Sequence, residues 1–390
     1  MDYEKILSPT VVSLPPSGIR KFFDIAGTMK GVISLGVGEP DFQTPWEIRN
    51  AGIRSLENGK TRYTANRGLE ALCREIADYQ KRKYDLSYDP ATEIMVTVGG
   101  SEGIDAAIRA MVTPGDEVII PQPSYVCYEP LVRMTGGVPV ILETTAGDDF
   151  KVTPQMLRGA LTEKTKLLIL PYPCNPTGAI MEKADLEAIA GVLRETNVVV
   201  LSDEIYAELT FGGRRHVSVA SIPGMHERTV VVNGFSKAFS MTGWRLGYAC
   251  GPAPVIKQMV KIHQYAIMCA PTTAQYAAIE ALRNGDDAVA AMKEEYDMRR
   301  RLIVNGFNEL GLACRTPLGA FYAFPCIKST GMKSEEFCEK LLYSQKVAVV
   351  PGTAFGKGGE GFIRASYCYS TEHISEALRR IGQFLREIKS

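Results

Sequence analysis

The sequence is poor in the features from which metal sites, disulfide frameworks and membrane spans are built. Only four of its 390 residues are histidine, and their spacing does not suggest a metal site. The nine cysteines include no C-x-x-C pair and their number is odd, which is typical of reduced thiols in a cytosolic protein. No apolar run is as long as a membrane span, and no signal peptide is recognisable. We therefore expect a cytoplasmic protein with no metal and no membrane partner.

An excess of charge of one sign is also missing. The chain has 44 basic and 44 acidic residues, so its formal net charge is +0. A protein without a basic field is not expected to bind nucleic acid. The composition, 45% hydrophobic and 23% charged, is ordinary for a globular enzyme, and 390 residues are enough for two packed cores. The expected partners are therefore small molecules.

From about residue 93 the chain alternates apolar, strand-like runs with amphipathic stretches such as Ser101–Met111 and Lys183–Glu195. The strand candidates are Glu93–Val98, Glu117–Pro121, Val138–Glu143, Lys166–Pro171, Val198–Ser202, Thr229–Asn233 and Leu246–Cys250. This alternation predicts an α/β fold of three layers, a mostly parallel seven-stranded sheet with helices on both faces. The last candidate follows its predecessor after a short connection, which allows it to run antiparallel.

The two ends of the chain do not follow this alternation. Residues 1–40 contain Pro15, Pro16 and Pro40, which suggests an irregular arm that also contributes to a smaller domain. We expect a large domain over residues 41–285 and a smaller α+β domain over residues 286–390. The smaller domain would open with a long charged helix, Asp286–Gly311. The apolar face of that helix would consist of Val289, Met292, Tyr296, Ile303 and Phe307.

One lysine, Lys237, lies among Phe, Ser, Ala and Met residues after an apolar strand. Poor solvation disfavours the ammonium form, so it lowers the pKa of the lysine and makes the free amine available as a nucleophile. A lysine of this kind forms Schiff bases with carbonyl compounds, among them pyridoxal 5'-phosphate (PLP). The alternative is a buried lysine without a chemical role.

The residues around Lys237 match a longer pattern. Ser236 to Tyr248 fit S-K-x-[FY]-x-M-T-G-W-R-[LI]-G-[YF] and resemble the lysine segment of fold-type I PLP-dependent enzymes, the class I/II aminotransferases, close to the aspartate and aromatic aminotransferases. Six further motifs of that family occur in family order along the chain, and the resemblance extends from about residue 17 to residue 370. They are G-E-P-D-F at Gly38–Phe42, Y-x-x-x-x-G from Tyr63, the turn Gly99–Gly103, N-P-T-G from Asn175, D-E-x-Y from Asp203 and R-x-S from Arg364.

Two segments predict a phosphate site. Gly99–Gly103 follows a strand and opens a helix, whose free N–H groups favour an anion, although such a turn is also ordinary in α/β folds. The resemblance implies that Gly100, Ser101 and Glu102 hold the PLP phosphate, mostly through backbone N–H groups. It also implies Arg245 as a second phosphate ligand, since a guanidinium offers a fork of donors. The alternative for Arg245 is a structural salt bridge.

Two further positions bear on the phosphate. Many family members have Ser or Thr where this chain has Gly234, so Ser236 could supply a hydroxyl instead. In the family, the tyrosine at the position of Tyr63 reaches the phosphate of the neighbouring subunit, which implies a homodimer with shared active sites. An ordinary surface or core tyrosine is the alternative for Tyr63.

Four residues are candidates for contact with the cofactor ring. Asp203 lies at the carboxyl end of a predicted parallel strand, where ligands of α/β proteins bind. The resemblance implies that Asp203 pairs with the pyridine nitrogen, that Tyr206 and Asn175 contact the ring oxygen and that Tyr125 stacks on the ring. A strand-end cap, a turn and a core tyrosine are the respective alternatives for Asp203, Asn175 and Tyr125.

The substrate site is predicted from an arginine in an apolar strand. Arg364 must find an anion there or face water. The resemblance implies that Arg364 binds the α-carboxylate of an amino acid, helped by Asn175 and the N–H of Gly38. For Gly38 the alternative is an ordinary Gly/Pro turn.

These inferences predict a PLP-dependent aminotransferase. It would move the amino group of an L-amino acid to a 2-oxo acid such as 2-oxoglutarate in ping-pong half-reactions. Lys237 would hold PLP as a Schiff base and would then act as general base and acid. The overall pattern, including residues 17–24, resembles the aspartate and aromatic subgroup, and the lack of a dedicated arginine for a distal carboxylate favours aromatic donors.

Three other functions are compatible with parts of this pattern. A β-elimination lyase acting on cystathionine-like substrates would use the same residues. A PLP-sensing regulator domain would need a DNA-binding region, but residues 1–40 are too short and too interrupted by proline for a helix-turn-helix. A relative that binds PLP without catalysis is disfavoured by the complete set Lys237, Asp203, Asn175, Arg245 and Arg364.

Overall fold

The computed structural model describes residues 3–16 and 29–388, together with Met1, Gly18 and Gly27. The strands of this part are β1 (Ile33–Ser34), β2 (Ile94–Thr97), β3 (Glu117–Gln122), β4 (Val138–Glu143), β5 (Thr165–Leu170), β6 (Val199–Asp203), β7 (Thr229–Gly234), β8 (Gly247–Cys250), β9 (Tyr322–Ala323), β10 (Val347–Ala348), β11 (Val350–Pro351) and β12 (Ile363–Ser366). The α-helices are α1 (Pro9–Ser13), α2 (Trp46–Glu57), α3 (Glu70–Tyr84), α4 (Gly99–Met111), α5 (Tyr128–Met134), α6 (Pro154–Ala160), α7 (Lys183–Leu193), α8 (Ala253–Ala266), α9 (Thr272–Asn284), α10 (Asp286–Glu309), α11 (Ser334–Gln345) and α12 (Thr371–Glu387).

A seven-stranded sheet with the order β2-β8-β7-β6-β5-β3-β4 forms the centre of the structure. Strand β8 runs antiparallel to both of its neighbours, and all other pairs are parallel. A parallel return from β7 would need a crossover, usually through a helix, whereas β8 follows after one short irregular segment. The predicted mostly parallel sheet and its antiparallel member are confirmed, with strand ends that differ by at most one residue.

Helices cover both faces of this sheet, because successive strand residues point to opposite sides. In β7, Val230 and Val232 pack into a core that includes Ile104 of α4 and Ile256 of α8. Val231 packs into the opposite core, with residues of α3 and α9. Near-continuous apolar strands buried from both sides are typical of parallel sheets. The predicted three-layer α/β fold is confirmed.

The remaining strands form two small sheets. Strand β1 pairs in parallel with β10, and β11, β12 and β9 form an antiparallel three-stranded sheet. Residues of α10, α11 and α12 share one hydrophobic core with these strands. All five residues predicted for the apolar face of the long helix are buried. The division of the chain into domains at residues 40 and 285 stays a prediction.

The first 40 residues contain more regular structure than their prolines suggest. Helix α1 begins at Pro9, where the missing N–H of proline costs no hydrogen bond, and β1 adds an edge to β10. Among the described residues, no helix combines the length and apolar character needed to cross a membrane.

Candidate active site

A cavity of about 530 Å³ lies where β6 and β7 end and the small sheet around β12 approaches them. The carboxyl ends of parallel strands are the usual place for a ligand in such a sheet. Most of the residues predicted from the sequence line this cavity. They are Gly38, Gly100, Ser101, Tyr125, Asn175, Asp203, Tyr206, Ser236, Lys237, Arg245 and Arg364.

Lys237 follows the end of β7 and projects its amine into the cavity. Desolvation by the surrounding residues lowers the pKa of Lys237 to about 8, although nearby Cys368 and Glu39 act in the opposite direction. The Nζ atom donates a hydrogen bond to the carbonyl oxygen of Gly38 at 2.8 Å. Lys237 therefore has an amine that loses its proton near pH 8, well below the range of an ordinary lysine, as expected of a nucleophile or a general base.

The turn between β2 and α4 presents backbone N–H groups to the cavity at a helix N-terminus. Gly99 has a φ of +75°, and an added Cβ would lie 2.6 Å from Nη2 of Arg245. At Gly247 an added Cβ would lie 2.8 Å from the backbone nitrogen of Gly100. Glycine is therefore required at both positions for Arg245 and β8 to approach the turn.

Arg245 has no acidic partner within ion-pair distance among the described residues. Its Nη1 donates to the carbonyl oxygen of Thr242 at 3.1 Å, and its remaining N–H groups are available to another acceptor. A guanidinium beside a helix N-terminus is a favourable place for a phosphate. The structural salt bridge considered as an alternative for Arg245 is not found in this part of the chain.

Glu102 does not line the cavity, although it belongs to the same turn. Its carboxylate accepts a hydrogen bond from the backbone N–H of Val98 and pairs with Nδ1 of His263, which is fully buried on α8. The side chain of Glu102 therefore fixes the turn from behind. Nothing in the sequence spacing indicated His263, since it lies 161 residues from Glu102 along the chain.

Asp203 is the last residue of β6 and is buried. Its Oδ2 accepts a hydrogen bond from the hydroxyl of Tyr128 at 2.6 Å, and its Oδ1 accepts one from the N–H of Ile205 at 3.2 Å. Burial raises the pKa of Asp203, and these two donors oppose that effect. Tyr128 was not predicted, although it lies close in sequence to Tyr125, whose ring it contacts edge to face at 6.0 Å.

Arg364 on β12 is only 3% exposed, which excludes the alternative that it faces water. Its Nη1 donates to Oδ1 of Asn175 at 2.9 Å, and its Nη2 donates to the carbonyl oxygen of Gly36. The guanidinium packs between the rings of Tyr322 and Phe355, at 4.4 and 4.8 Å. Its buried Nε has no hydrogen-bond partner among the described residues. A buried cation without a carboxylate partner favours an anionic ligand.

The contact with Arg364 also orients the amide of Asn175. Because its oxygen accepts from Arg364, its Nδ2 remains as a donor. Tyr322, which was not predicted, forms a hydroxyl–hydroxyl hydrogen bond of 2.8 Å with Tyr206. An added Cβ on Gly38 would lie 1.9 Å from the hydroxyl oxygen of Tyr322, so only glycine fits there.

The side chain of the predicted site residue Tyr63 is 82% exposed. It does not line the cavity of its own chain. Residues 17 and 19–24, which form part of the pattern behind the predicted subgroup, lie outside the described residues.

Comparison with known proteins agrees with this geometry. Residues 30–381 match the family model described as "Aminotransferase class I and II". The chain is 56% identical to a putative aminotransferase, YugH, of Bacillus subtilis (strain 168), over 98% of both chains. It is 47% identical to an aspartate aminotransferase of Pyrococcus abyssi, over 96% of this chain and 97% of that protein. The crystal structure of an aromatic aminotransferase from Pyrococcus horikoshii OT3 is 44% identical, with a TM-score of 0.90 over 95% of this chain and 99% of the other.

Proposed function

The chain belongs to the class I and II aminotransferases, PLP-dependent enzymes that act on amino acids and 2-oxo acids, and we propose that the cavity around Lys237 is its active site. The observation that carries this assignment is the desolvated amine of Lys237, whose pKa is lowered to about 8, inside a cavity with two cations, Arg245 and Arg364, for which no acidic partner is found among the described residues. The donor set fits PLP. It combines an amine, an anion site at a helix N-terminus and a buried carboxylate at the edge of one cavity.

Each group of PLP has a counterpart in this cavity. Arg245 and the N–H groups of Gly100 and Ser101 would hold the phosphate, helped by the hydroxyl of Ser236 and by the backbone N–H of Glu102. Asp203 would keep a proton on the pyridine nitrogen, and Tyr125 would stack on the ring. When bound, PLP supplies a carbonyl carbon for the substrate nitrogen and an electron-poor ring for the electron pair left on the substrate Cα.

The residues of the chain would perform the remaining tasks. Arg364 would bind the substrate α-carboxylate as a bidentate pair, with Asn175 and the N–H of Gly38 beside it. This contact would place the Cα–H bond within reach of Lys237. The Nζ of Lys237 would then take the proton from Cα as general base and return it as general acid. Tyr206 and Nδ2 of Asn175 would donate hydrogen bonds to the anionic ring oxygen.

We propose aromatic L-amino acids as the preferred donors and 2-oxoglutarate as an acceptor. Among the described residues that line the cavity, the cations are Lys237, Arg245 and Arg364, and each already has a proposed task. No further cation among these lining residues is left to bind the distal carboxylate of aspartate. Aromatic and apolar residues, including Tyr322 and Val37, occupy much of the wall.

A panel of single donors tests this proposal. The holoenzyme is mixed with phenylalanine, tyrosine, aspartate or glutamate without an acceptor, and the visible absorbance of the cofactor is followed. We expect the band to disappear fastest with the aromatic donors and to return when 2-oxoglutarate is added. A higher kcat/KM for aspartate than for every aromatic donor would contradict the donor class.

The same panel distinguishes transamination from β-elimination. The relatives named aminotransferases support transamination. Transamination conserves the amino group, so no ammonia forms, and the product is the 2-oxo acid of the donor. Ammonia released in step with a 2-oxo acid from a cystathionine-like substrate would instead identify a lyase.

We also propose that the active unit is a homodimer located in the cytoplasm. Tyr63 and Tyr265 are highly exposed, and Ile267 and Met268 are 42% and 47% exposed. A hydrogen bond from the Asn66 side chain to the carbonyl oxygen of Met268 joins the segment around Tyr63 to residues 265–268, so these residues form one surface. Exposed apolar side chains that lie together are typical of an interface. All nine cysteines are free thiols, which supports a reducing compartment.

A further inference from the structure

Two buried tyrosines share a hydrogen bond at the wall of the cavity. The hydroxyl oxygens of Tyr206 and Tyr322 are 2.8 Å apart, and their rings meet edge to face at 5.8 Å. Tyr206 is 5% and Tyr322 is 2% exposed. Each hydroxyl has the other as its hydrogen-bond partner, and no second partner for either is found among the described residues. One proton lies between the two oxygens, and the other has no acceptor in this part of the protein.

The direction of this hydrogen bond decides what the pair can do. Burial raises the pKa of Tyr322 to about 12 and that of Tyr206 well above its ordinary value, so both hydroxyls keep their protons at neutral pH. If Tyr206 donated to Tyr322, it would have no proton left for a ligand. If Tyr322 donates, the proton of Tyr206 points into the cavity. An anionic oxygen beside Tyr206 selects the second arrangement.

Tyr322 is held in place by groups that belong to the substrate site. The guanidinium of Arg364 lies 4.4 Å from the centre of its ring. The hydroxyl of Tyr322 lies so close to Gly38 that a Cβ added to Gly38 would be 1.9 Å from the hydroxyl oxygen. Tyr322 therefore connects the residue proposed to bind the substrate carboxylate with the residue proposed to contact the cofactor ring oxygen.

We propose that Tyr322 is a positioning residue of the reaction, whose hydroxyl donates to Tyr206 and thereby directs the Tyr206 proton at the phenolic oxygen of PLP. This inference rests on the proposed role of Tyr206. A hydrogen-bond donor to the anionic ring oxygen would favour loss of the proton that this oxygen shares with the nitrogen of Lys237 in the holoenzyme. Weakening that donor should therefore raise the pH at which the visible absorbance of the substrate-free holoenzyme changes.

The test is a pH titration of that absorbance in the variants Tyr322→Phe, Tyr206→Phe and the double variant. Loss of one hydrogen bond to a charged group corresponds to a shift of about one to two pH units. We expect Tyr206→Phe to raise the midpoint and Tyr322→Phe to raise it by a smaller amount. The double variant should match Tyr206→Phe alone, because Tyr322 acts through Tyr206.

Tyr367→Phe is the matched control, since Tyr367 is also a buried tyrosine, whose hydroxyl donates to the carbonyl oxygen of Ala320 at 3.0 Å. Its midpoint should equal that of the wild type. An unchanged midpoint in Tyr322→Phe, with a shift in Tyr206→Phe, would overturn this inference and leave the role of Tyr206 standing. An unchanged midpoint in Tyr206→Phe would overturn both.

The substrate side of Tyr322 provides a second readout. Tyr322→Phe keeps the ring against Arg364, so the KM for the amino donor should stay close to that of the wild type. Tyr322→Leu removes the ring and should raise the KM as well. A rise of the KM in Tyr322→Phe without a shift of the midpoint would show that the hydroxyl serves the substrate instead, and it would contradict the proposal.

Discussion

At the scale of single residues, the environment of Lys237 determines when it can react. The largest effect on its pKa is desolvation, and the pKa falls from 10.5 to about 8. Glu39 works against this shift because its negative charge favours the ammonium form. Above about pH 8 the amine of the cofactor-free protein is mostly neutral and nucleophilic, and below that pH it is mostly protonated.

We predict that the rate at which the apoenzyme captures PLP rises with pH, with a midpoint close to 8 instead of 10.5. Glu39→Gln should move this midpoint downward, since it removes a charge that favours protonation. Stopped-flow absorbance after mixing apoenzyme with PLP at a series of pH values measures both effects. A midpoint above 10 in the wild type would show that Lys237 is solvated.

Lys237→Ala should lower kcat by several orders of magnitude, since both the nucleophile and the general base are removed. Reduction of the wild-type holoenzyme with borohydride, followed by peptide mapping, should place the cofactor on Lys237. Lys257→Ala, on the exposed side of α8, is the matched control and should keep full activity. Wild-type turnover in Lys237→Ala would refute the assignment.

Arg364→Ala should act mainly on substrate binding. Arg364 and the substrate α-carboxylate would form a buried charge pair. Removing one member of such a pair costs about 2–5 kcal/mol, so kcat/KM should fall at least about 30-fold, mostly through the KM. Arg364→Lys should not restore activity, because an ammonium cannot reach Asn175, Gly36 and a carboxylate together. Arg301→Ala, an exposed arginine of α10, should leave both constants unchanged. Steady-state kinetics with one good donor measure these effects.

At the scale of elements, the turn before α4 depends on a second helix. Glu102 ties the N-terminal end of α4 to His263 of α8, and its other oxygen holds the N–H of Val98. Side-chain contacts on the side of the turn away from the cavity therefore fix the backbone that lines the cavity. The affinity for PLP should depend on this pair even though neither side chain lines the cavity.

We predict that Glu102→Ala weakens PLP binding about tenfold and lowers the free energy of unfolding by about 1–3 kcal/mol, since it leaves the buried Nδ1 of His263 and the N–H of Val98 unpaired. Equilibrium titration of the apoenzyme with PLP and urea unfolding measure the two quantities. Asp105→Ala removes a surface ion pair with Arg109 on the same helix and should change neither by much. Equal effects of both variants would exclude a specific role for the pair.

The difference between the predicted and the observed site follows from how its contacts are distributed along the chain. Lys237 and Arg245 were recognisable because one short segment carries both. Tyr128 and Tyr322 could not be identified in this way, since their partners lie 75 and 116 residues away and only folding brings them together. Alternating apolar runs predicted the sheet because burial on both faces requires them. In the N-terminal arm, proline content concealed α1, because proline is compatible with a first helical turn.

At the scale of the whole molecule, the exposed Tyr63 suggests that one chain does not form a complete site. We predict that Tyr63→Phe weakens PLP retention by about tenfold, while the thermal stability of the apoenzyme stays unchanged. Tyr343→Phe, a similarly exposed tyrosine on α11, should have no effect on retention. Dialysis against buffer without PLP, followed by absorbance, measures retention, and sedimentation velocity measures the oligomeric state. A fully active monomer would contradict the proposed shared site.

Helix α10 contributes residues to two hydrophobic cores. Val289, near its start, packs in a core of the seven-stranded sheet, while Tyr296 and Phe307 pack in the core around the small sheets. If one of these cores unfolded, the end of this 24-residue helix that packs in it would lose its contacts, and the helix would fray towards the other core. We therefore expect the two cores to melt together, in one calorimetric transition and not two. The long helix would thus make folding cooperative across parts of the chain that the sequence suggests are separate.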